Sequence, residues 1–349
     1  MSTQEQPKTQ NDLSPMTALS QMITGYWISQ VIYVAAMLGI ADLLKNGPKK
    51  SEELAQSEGL DAHSLHRLLR ALASIGILVH DEAGRFGLTT MGEYLQADRT
   101  DSLRTQALRA GEDCSWRVWG NLIHSIRTGE RAFDQVFGMQ WYKYLDTHPE
   151  AAENFNAGMT TQGKQKAKAL VENYNFSLFE TAVDVGGGPA SIMIDLLKAN
   201  PKLKGVLFDI DFAVQEGKQA IEREGLADRC SCVSGDFAKG VPSGGDLYLL
   251  SNVVHGQPDD RAISLLKHCQ QAIPNHGRVL LFERVVPPRI EPTAKMQALM
   301  RFDLIMMVRP GGRERTEAEF RSLLAAAGLT LTQVIPTPTP FSIIEGVRV

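Results

Sequence analysis

Thr181-Ala182-Val183-Asp184-Val185-Gly186-Gly187-Gly188-Pro189-Ala190 is the stretch on which the reading of the fold turns. Residues of strand character run straight into three glycines, with an acid one place before the strand ends. A short apolar run closed by glycines reads as a β-strand, and the glycines let the backbone pass close beneath a ligand or adopt positive φ angles. The cluster lacks the full GxGxxG spacing, so alone it is a weak signal. Pro189 stands where the first turn of a helix accepts a proline.

Working toward the C-terminus, further short runs alternate with helical patterns: Gly205 to Phe208, Ser231 to Ser234, Leu247 to Leu250 and Arg278 to Glu283. This is the doubly wound α/β pattern. Thr316 and Glu319 form a capping box for a helix that Gly328 ends, and two strands near Leu329 to Ile335 and Phe341 to Val347 complete the sheet. In such sheets ligands bind beyond the carboxyl ends of the strands, where the strand order reverses. Those ends carry Asp184 with Gly186 and Gly187, then Asp209, then Asp236 with Phe237, then His255, then Glu283. With a strand order of 3-2-1-4-5, the first and fourth ends are neighbours. Asp209 is placed to accept hydrogen bonds from two ribose hydroxyls. Asp236 could accept from an adenine amino group while Phe237 covers the ring.

Imidazole ordinarily titrates at about 6.5, which suits His255 to taking a proton at neutral pH. Glu283 and Glu314 could orient it, although Glu314, set among charged residues, reads on its own as a surface salt-bridge residue. No group of His, Asp, Glu or Cys has metal-ligand spacing, so metal-independent chemistry is expected.

Toward the N-terminus, residues 1–12 read as a disordered polar tail. Ser14 and Pro15 start a helix whose apolar residues continue from Met16 to Leu44 and break near Asn46-Gly47-Pro48. Few polar residues interrupt Val31 to Leu44, so this element needs cover inside a helical domain or from a second subunit. Ser51 and Asp61 read as caps of two short helices. Strand-like residues around Ile75 to Val79 and Phe86 to Leu88, with a turn at Asp81 to Gly84, complete a winged helix-turn-helix. The domain boundaries expected are 13–106 for the winged helix, 107–175 for a helical linker contributing to a substrate pocket, and 176–349 for the α/β domain. The linker concentrates Trp116, Trp119, Phe133, Phe137, Trp141, Tyr142 and Tyr144, which are expected in a core or along an aromatic wall.

The chain has 349 residues, 43% hydrophobic and 22% charged, with a net charge of −4. That balance lacks the clustered basic face of a nucleic-acid binder, and the buried stripe of the helix from Ala62 to Leu72 weighs against reading His66, Arg67 and Arg70 as a DNA-recognition surface. A winged-helix regulator sensing a small ligand is the rival from another class. No secretion signal or membrane-length apolar run is visible. The four cysteines, Cys114, Cys230, Cys232 and Cys269, lack CxxC spacing and are expected as free thiols in a cytoplasmic, reducing setting.

Taken in order, Phe137-Gly138-Met139, His148-Pro149-Glu150, Phe155-Asn156-Ala157-Gly158-Met159, Val183 to Gly188, Phe208-Asp209, Gly235-Asp236-Phe237, Val254-His255, Glu283 and Gly311-Gly312-Arg313-Glu314-Arg315-Thr316 resemble the caffeate and hydroxyindole O-methyltransferases, particularly bacterial natural-product members. The resemblance covers nearly the whole chain. It implies a Rossmann-like class I methyltransferase domain behind a dimerising winged helix, a homodimer, and metal-free transfer of a methyl group from S-adenosyl-L-methionine to a hydroxyl of an aromatic or polyketide-like small molecule. It implies a cofactor site at Asp184, Gly186, Gly187, Asp209, Asp236, Phe237 and Ser251. The base would be His255 with Glu283 and Glu314, and Met159, Phe302, Met306 and Met307 would line the acceptor pocket. The chain departs from the family pattern at Pro189-Ala190, where a His-Gly pair is common, at Gly256-Gln257, where Asp-Trp is common, and at Ser251, where Lys or Arg often stands. Because some relatives bind the cofactor yet hydroxylate or rearrange their substrates, a non-methylating reaction is the alternative.

Overall fold

The structure, a computed structural model, describes residues 14–349, without the side chains of 156–162 and 164. The expected disordered tail lies outside the described residues. The chain forms two compact units that divide between Arg117 and Val118.

In the first unit, helix Pro15–Met37 starts as expected: the Ser14 hydroxyl accepts from the Thr17 amide, and proline occupies the first helical position. The helix does not run on to Leu44. Gly39, at φ 62°, ends it and separates the short helix Ile40–Leu43, because glycine adopts the left-handed conformation at little cost. Most of the long helix is uncovered within the unit: Met16, Met22, Ile23 and Trp27 are 58–80% exposed. Helix Arg104–Gly111 approaches it so closely that a Cβ at Gly111 would lie 2.0 Å from the Tyr33 ring.

Helices Ser51–Glu58 and Ala62–Ser74 and the antiparallel hairpin β1 (Leu78–His80) and β2 (Phe86–Leu88) follow in the expected order. Asp61 caps its helix at the Ser64 amide. Ser51 does not act as a cap. Lys50 takes that position, and Ser51 turns inward, its hydroxyl 3.0 Å from His66 Nδ1. Leu65, Leu69 and Leu72 bury one helix face against Leu54 and Phe86.

In the second unit a run of helices ends with the long helix Pro149–Asn173, and the sheet follows: β3 (Thr181–Val185), β4 (Lys204–Asp209), β5 (Cys230–Ser234), β6 (Leu247–Ser251) and β7 (Arg278–Glu283). Two further short strands, β8 (Val285–Val286) and β9 (Arg315–Thr316), pair in parallel beside it. Then come β10 (Leu329–Pro336) and β11 (Ser342–Arg348), giving the order β10-β11-β7-β6-β3-β4-β5. The first five strands are parallel and have the expected switch between β3 and β6, while β11 runs antiparallel to β7 and β10. Ala182, Val183 and Val185 of β3 are fully buried, as covering both faces of a parallel sheet demands. Burying each of the two valines contributes about 1.5–3 kcal/mol.

Helix Glu317–Ala326 carries the expected capping box, with Gly328 at φ 77° just past its end. At the glycine loop the helix begins later than Pro189 implied. It spans Ser191–Ala199 and is preceded by Ala190 at φ 63°, so the proline precedes the turn instead of entering the helix.

Candidate active site

The end of β3 is a close-packed corner. The Gly186 amide donates to the Phe208 carbonyl at 2.8 Å, and Gly186 (φ 73°) and Gly188 (φ 52°) hold conformations that other residues resist. A Cβ at Gly187 would sit 2.6 Å from an Asp184 carboxylate oxygen. Gly187 therefore makes room for the acid beneath it. Asp184 is 1% exposed, and its Oδ2 has no hydrogen-bond partner among the described residues. Burial, helped by the charge on Asp209, pushes its carboxyl up to about 7. Asp209 accepts from the Gly188 and Ile210 amides at 2.8 and 2.7 Å, and burial raises its carboxyl too. Both oxygens keep capacity for further donors.

Across the switch point, the Ser251 hydroxyl and the Asn252 side-chain oxygen are buried without partners among the described residues, and Asn252 stands at φ 57°. Unpaired buried polar atoms are costly, and their gathering beside the glycine loop fits a ligand that would satisfy them. Asp236 is exposed, its carboxylate turned to the Ala238 amide, while Phe237 is half-buried against the sheet's second core cluster.

At the end of β6 a single 3-10 turn, Val254–Gly256, carries His255, which is 7% exposed. Glu283, fully buried at the end of β7, accepts the Val254 and His255 amides on Oε1 at 2.9 and 3.3 Å, and its Oε2 lies 3.9 Å from His255 Nδ1. Burial raises this carboxyl. Glu314 Oε1 lies 3.0 Å from the same Nδ1. Glu314 is thus buried, 5% exposed, and not the surface residue that its charged neighbours implied. The cause is Gly312: a Cβ there would meet the His255 carbonyl at 1.9 Å, so only glycine lets this segment lie flush against the turn. The Arg313 amide then donates to the His255 carbonyl at 2.8 Å and delivers the next side chain to the imidazole. Arg315, fully buried, clamps the turn through the Val254 and Gln257 carbonyls at 2.9 and 2.8 Å.

Three neighbours went unnoticed in the sequence. Arg284, 5% exposed, lies 3.8 Å from Glu314 Oε1; Lys166 sits 4.8 Å from the Phe341 ring centre; Asp303 accepts the Glu314 amide at 2.8 Å. Burial pulls the Lys166 ammonium down to about 8. The one available signal was that Arg284 directly follows a strand-end acid. Tertiary contact also brings His255, Glu283 and Glu314 to within 4.8 Å of one another at ligand-capable atoms, which no spacing in the chain foretold. Phe302, Met306 and Met307 share the half-buried helix Ala294–Val308, and Phe302 stacks on Arg284. The side chain of Met159 lies outside the described residues.

An open sheet of this order, with a glycine turn after its first strand, defines the class I methyltransferase fold. Within it, the match is specific: residues 119–330 fit the O-methyltransferase domain model and residues 20–98 the O-methyltransferase dimerisation domain model. The chain belongs to this O-methyltransferase family, whose methyl donor is S-adenosylmethionine. It is 42% identical to the phenazine O-methyltransferase PhzM of Lysobacter antibioticus over 94% of each chain. It is 37% identical to the O-demethylpuromycin-O-methyltransferase of Streptomyces alboniger, over 94% of this chain and 88% of that one. Among solved structures it resembles NcsB1, an O-methyltransferase of neocarzinostatin biosynthesis in complex with S-adenosylmethionine and 2-hydroxy-5-methyl naphthoic acid: TM-score 0.81, 30% identity, 92% of this chain and 96% of that one.

Proposed function

We propose that this enzyme methylates a hydroxyl of a flat aromatic small molecule of the phenazine or polyketide kind, with His255 as the general base and without a metal. The observation that carries the reading is the 3.0 Å contact between His255 Nδ1 and Glu314 Oε1. A carboxylate only accepts hydrogen bonds, so the proton belongs on Nδ1 and the lone pair on Nε2. Nε2 is then the atom that takes the acceptor's proton, and Glu314 and Glu283 stabilise the imidazolium that forms. S-adenosylmethionine, when bound, supplies an electrophilic methyl group. Asp209 would hold its ribose and Ser251 and Asn252 its nearby polar groups, over Gly186 and Gly187, with Asp184 beneath; Asp236 and Phe237 would meet the adenine. The half-buried Phe302, Met306 and Met307, with Met159, would wall the acceptor.

The metal-free reading is supported by the two cations, Arg284 and Lys166, that already face the two glutamates. Undiminished turnover in a strong chelator is the expected result. The first unit is read as a winged-helix module that pairs two copies, supported by the exposed apolar helix Pro15–Met37; residues 107–175 are read as the helical linker to a catalytic domain at 176–349. Four free cysteines agree with a cytoplasmic enzyme. The relatives' phenazine, puromycin and naphthoate substrates support a flat aromatic acceptor. The test is to incubate the purified chain with S-adenosylmethionine and a hydroxyphenazine and weigh the product. A gain of one methylene with appearance of the demethylated cofactor is expected. A gain of one oxygen would favour the hydroxylating relatives instead, and a new product of unchanged mass the rearranging ones.

A further inference from the structure

We propose that Arg284 is a positioning residue for methyl transfer, holding Glu314, and through it the His255 imidazole, in register with the Phe302 wall of the acceptor pocket. The inference rests on the reading of His255 as the base. The Arg284 guanidinium is sandwiched between two rings, 3.7 Å from the centre of Phe302 and 4.2 Å from that of Phe341. Its Nη1 stands 3.8 Å from Glu314 Oε1, the same oxygen that meets His255 Nδ1, and makes no hydrogen bond among the described residues.

A guanidinium serving only as a structural ion pair closes onto its carboxylate at about 2.8 Å, usually with both arms. Here the rings hold it back. It offsets the charge on Glu314 without drawing that oxygen away from the imidazole. A planar guanidinium stacks flat on both ring faces in this way, whereas an ammonium meets a ring only as a compact point charge. Charged or titratable groups reach Glu314 from several elements: His255 from the turn after β6, Glu283 and Arg284 from the end of β7, Lys166 from helix Pro149–Asn173, and Asp303 from helix Ala294–Val308. Phe302 and Asp303 are adjacent on that last helix. Pressure of an acceptor on the Phe302 ring is therefore passed to the guanidinium, and movement of the helix is passed to the Glu314 amide. Acceptor fit and base alignment become one adjustment.

The test uses the full chain with S-adenosylmethionine and the acceptor that the mass assay identifies. Arg284→Met should lower kcat by roughly 10- to 100-fold, the penalty of a misaligned catalytic group, with cofactor affinity retained. It should also move the acid limb of the kcat/KM profile to higher pH, because two carboxylates then face the imidazole with less positive charge to offset them. Arg284→Lys should restore that limb yet leave kcat below the parent value, since the ring sandwich is lost. Phe302→Leu should lower kcat as well as raise KM. Parental kcat and an unmoved limb in Arg284→Met would overturn the proposal. Should that variant not fold, Phe302→Leu decides, and a change in KM alone overturns it. His255→Ala run alongside separates the two failures: full turnover there defeats the base reading, whereas loss of turnover there with parental Arg284 and Phe302 variants defeats only this inference.

Discussion

The two halves of the switch point solve the same electrostatic problem differently. At the ends of β3 and β4, Asp184 is buried and Asp209 half-buried, neither forms an ion pair among the described residues, and burial helped by the Asp209 charge drives the Asp184 carboxyl up to about 7. Across the switch point, Glu283 at the end of β7 and Glu314 just before β9 are buried too, yet an imidazole, a guanidinium and an ammonium surround them. The first corner is electrostatically incomplete and gains from a ligand that donates hydrogen bonds. The second carries its own countercharges, as a preorganised base requires, although Glu283 Oε2, Glu314 Oε2 and Arg284 Nη1 lack hydrogen-bond partners among the described residues.

The comparison can be broken most sharply at the second corner. His255→Ala should cut turnover by about 10²–10⁴-fold while leaving cofactor binding intact, the range a positioned general base supplies; near-parental turnover would remove the distinction between the corners. At the first corner the opposite pattern is expected. Asp209→Ala should raise the cofactor dissociation constant by roughly 10- to 100-fold, as loss of charge-assisted hydrogen bonds does, and calorimetry finding no change would show that the acid does not meet the ribose.

A pH dependence sharpens the contrast further. The Asp184 carboxyl is raised in the fold from 3.8 to about 7, so it favours the native state fully below about pH 4 and loses that contribution as pH rises to about 7. Asp184→Asn removes the loss. Its gain in Tm over the parent should be larger at pH 8 than at pH 5 by at least about 2 °C, the shift that about 1 kcal/mol produces in a unit of this size; equal gains would mean that the acid is not buried charged. The smallest effect is expected at Ala190, which holds φ 63°, a conformation that glycine adopts more readily. Ala190→Gly should stabilise the chain by about 0.5 kcal/mol, the net of relieved backbone strain and added unfolded-state freedom, read from the urea midpoint. A loss of stability would mean that the buried methyl group outweighs the strain.

Much of the first corner was legible in the chain. Strand, glycines and acid lie within a few residues of one another there, and Asp209 follows at the end of the next strand, so local pattern and the switch-point rule sufficed. Two of the three local signs that failed were overruled by a neighbour distant in sequence, the third by the next residue. Ser51 looked like a cap and is instead drawn inward to His66. Pro189 looked like a helix start, but the turn at Ala190 delays the helix. Glu314 looked like a surface residue because Arg313 and Arg315 flank it, and only resemblance to a family pointed the other way.

By itself, then, the sequence determined the alternation of strands and helices, the end of the sheet at which chemistry gathers and the identities of the acids and the imidazole, because hydrophobic period and turn residues act over a few positions at a time. The tertiary structure alone decided which of those groups meet. Gly312 pressed against the His255 carbonyl, Glu314 on the imidazole, and Arg284 held between Phe302 and Phe341 all depend on chain segments packing to within van der Waals contact across tens of residues. Periodicity and local turn chemistry do not encode that proximity.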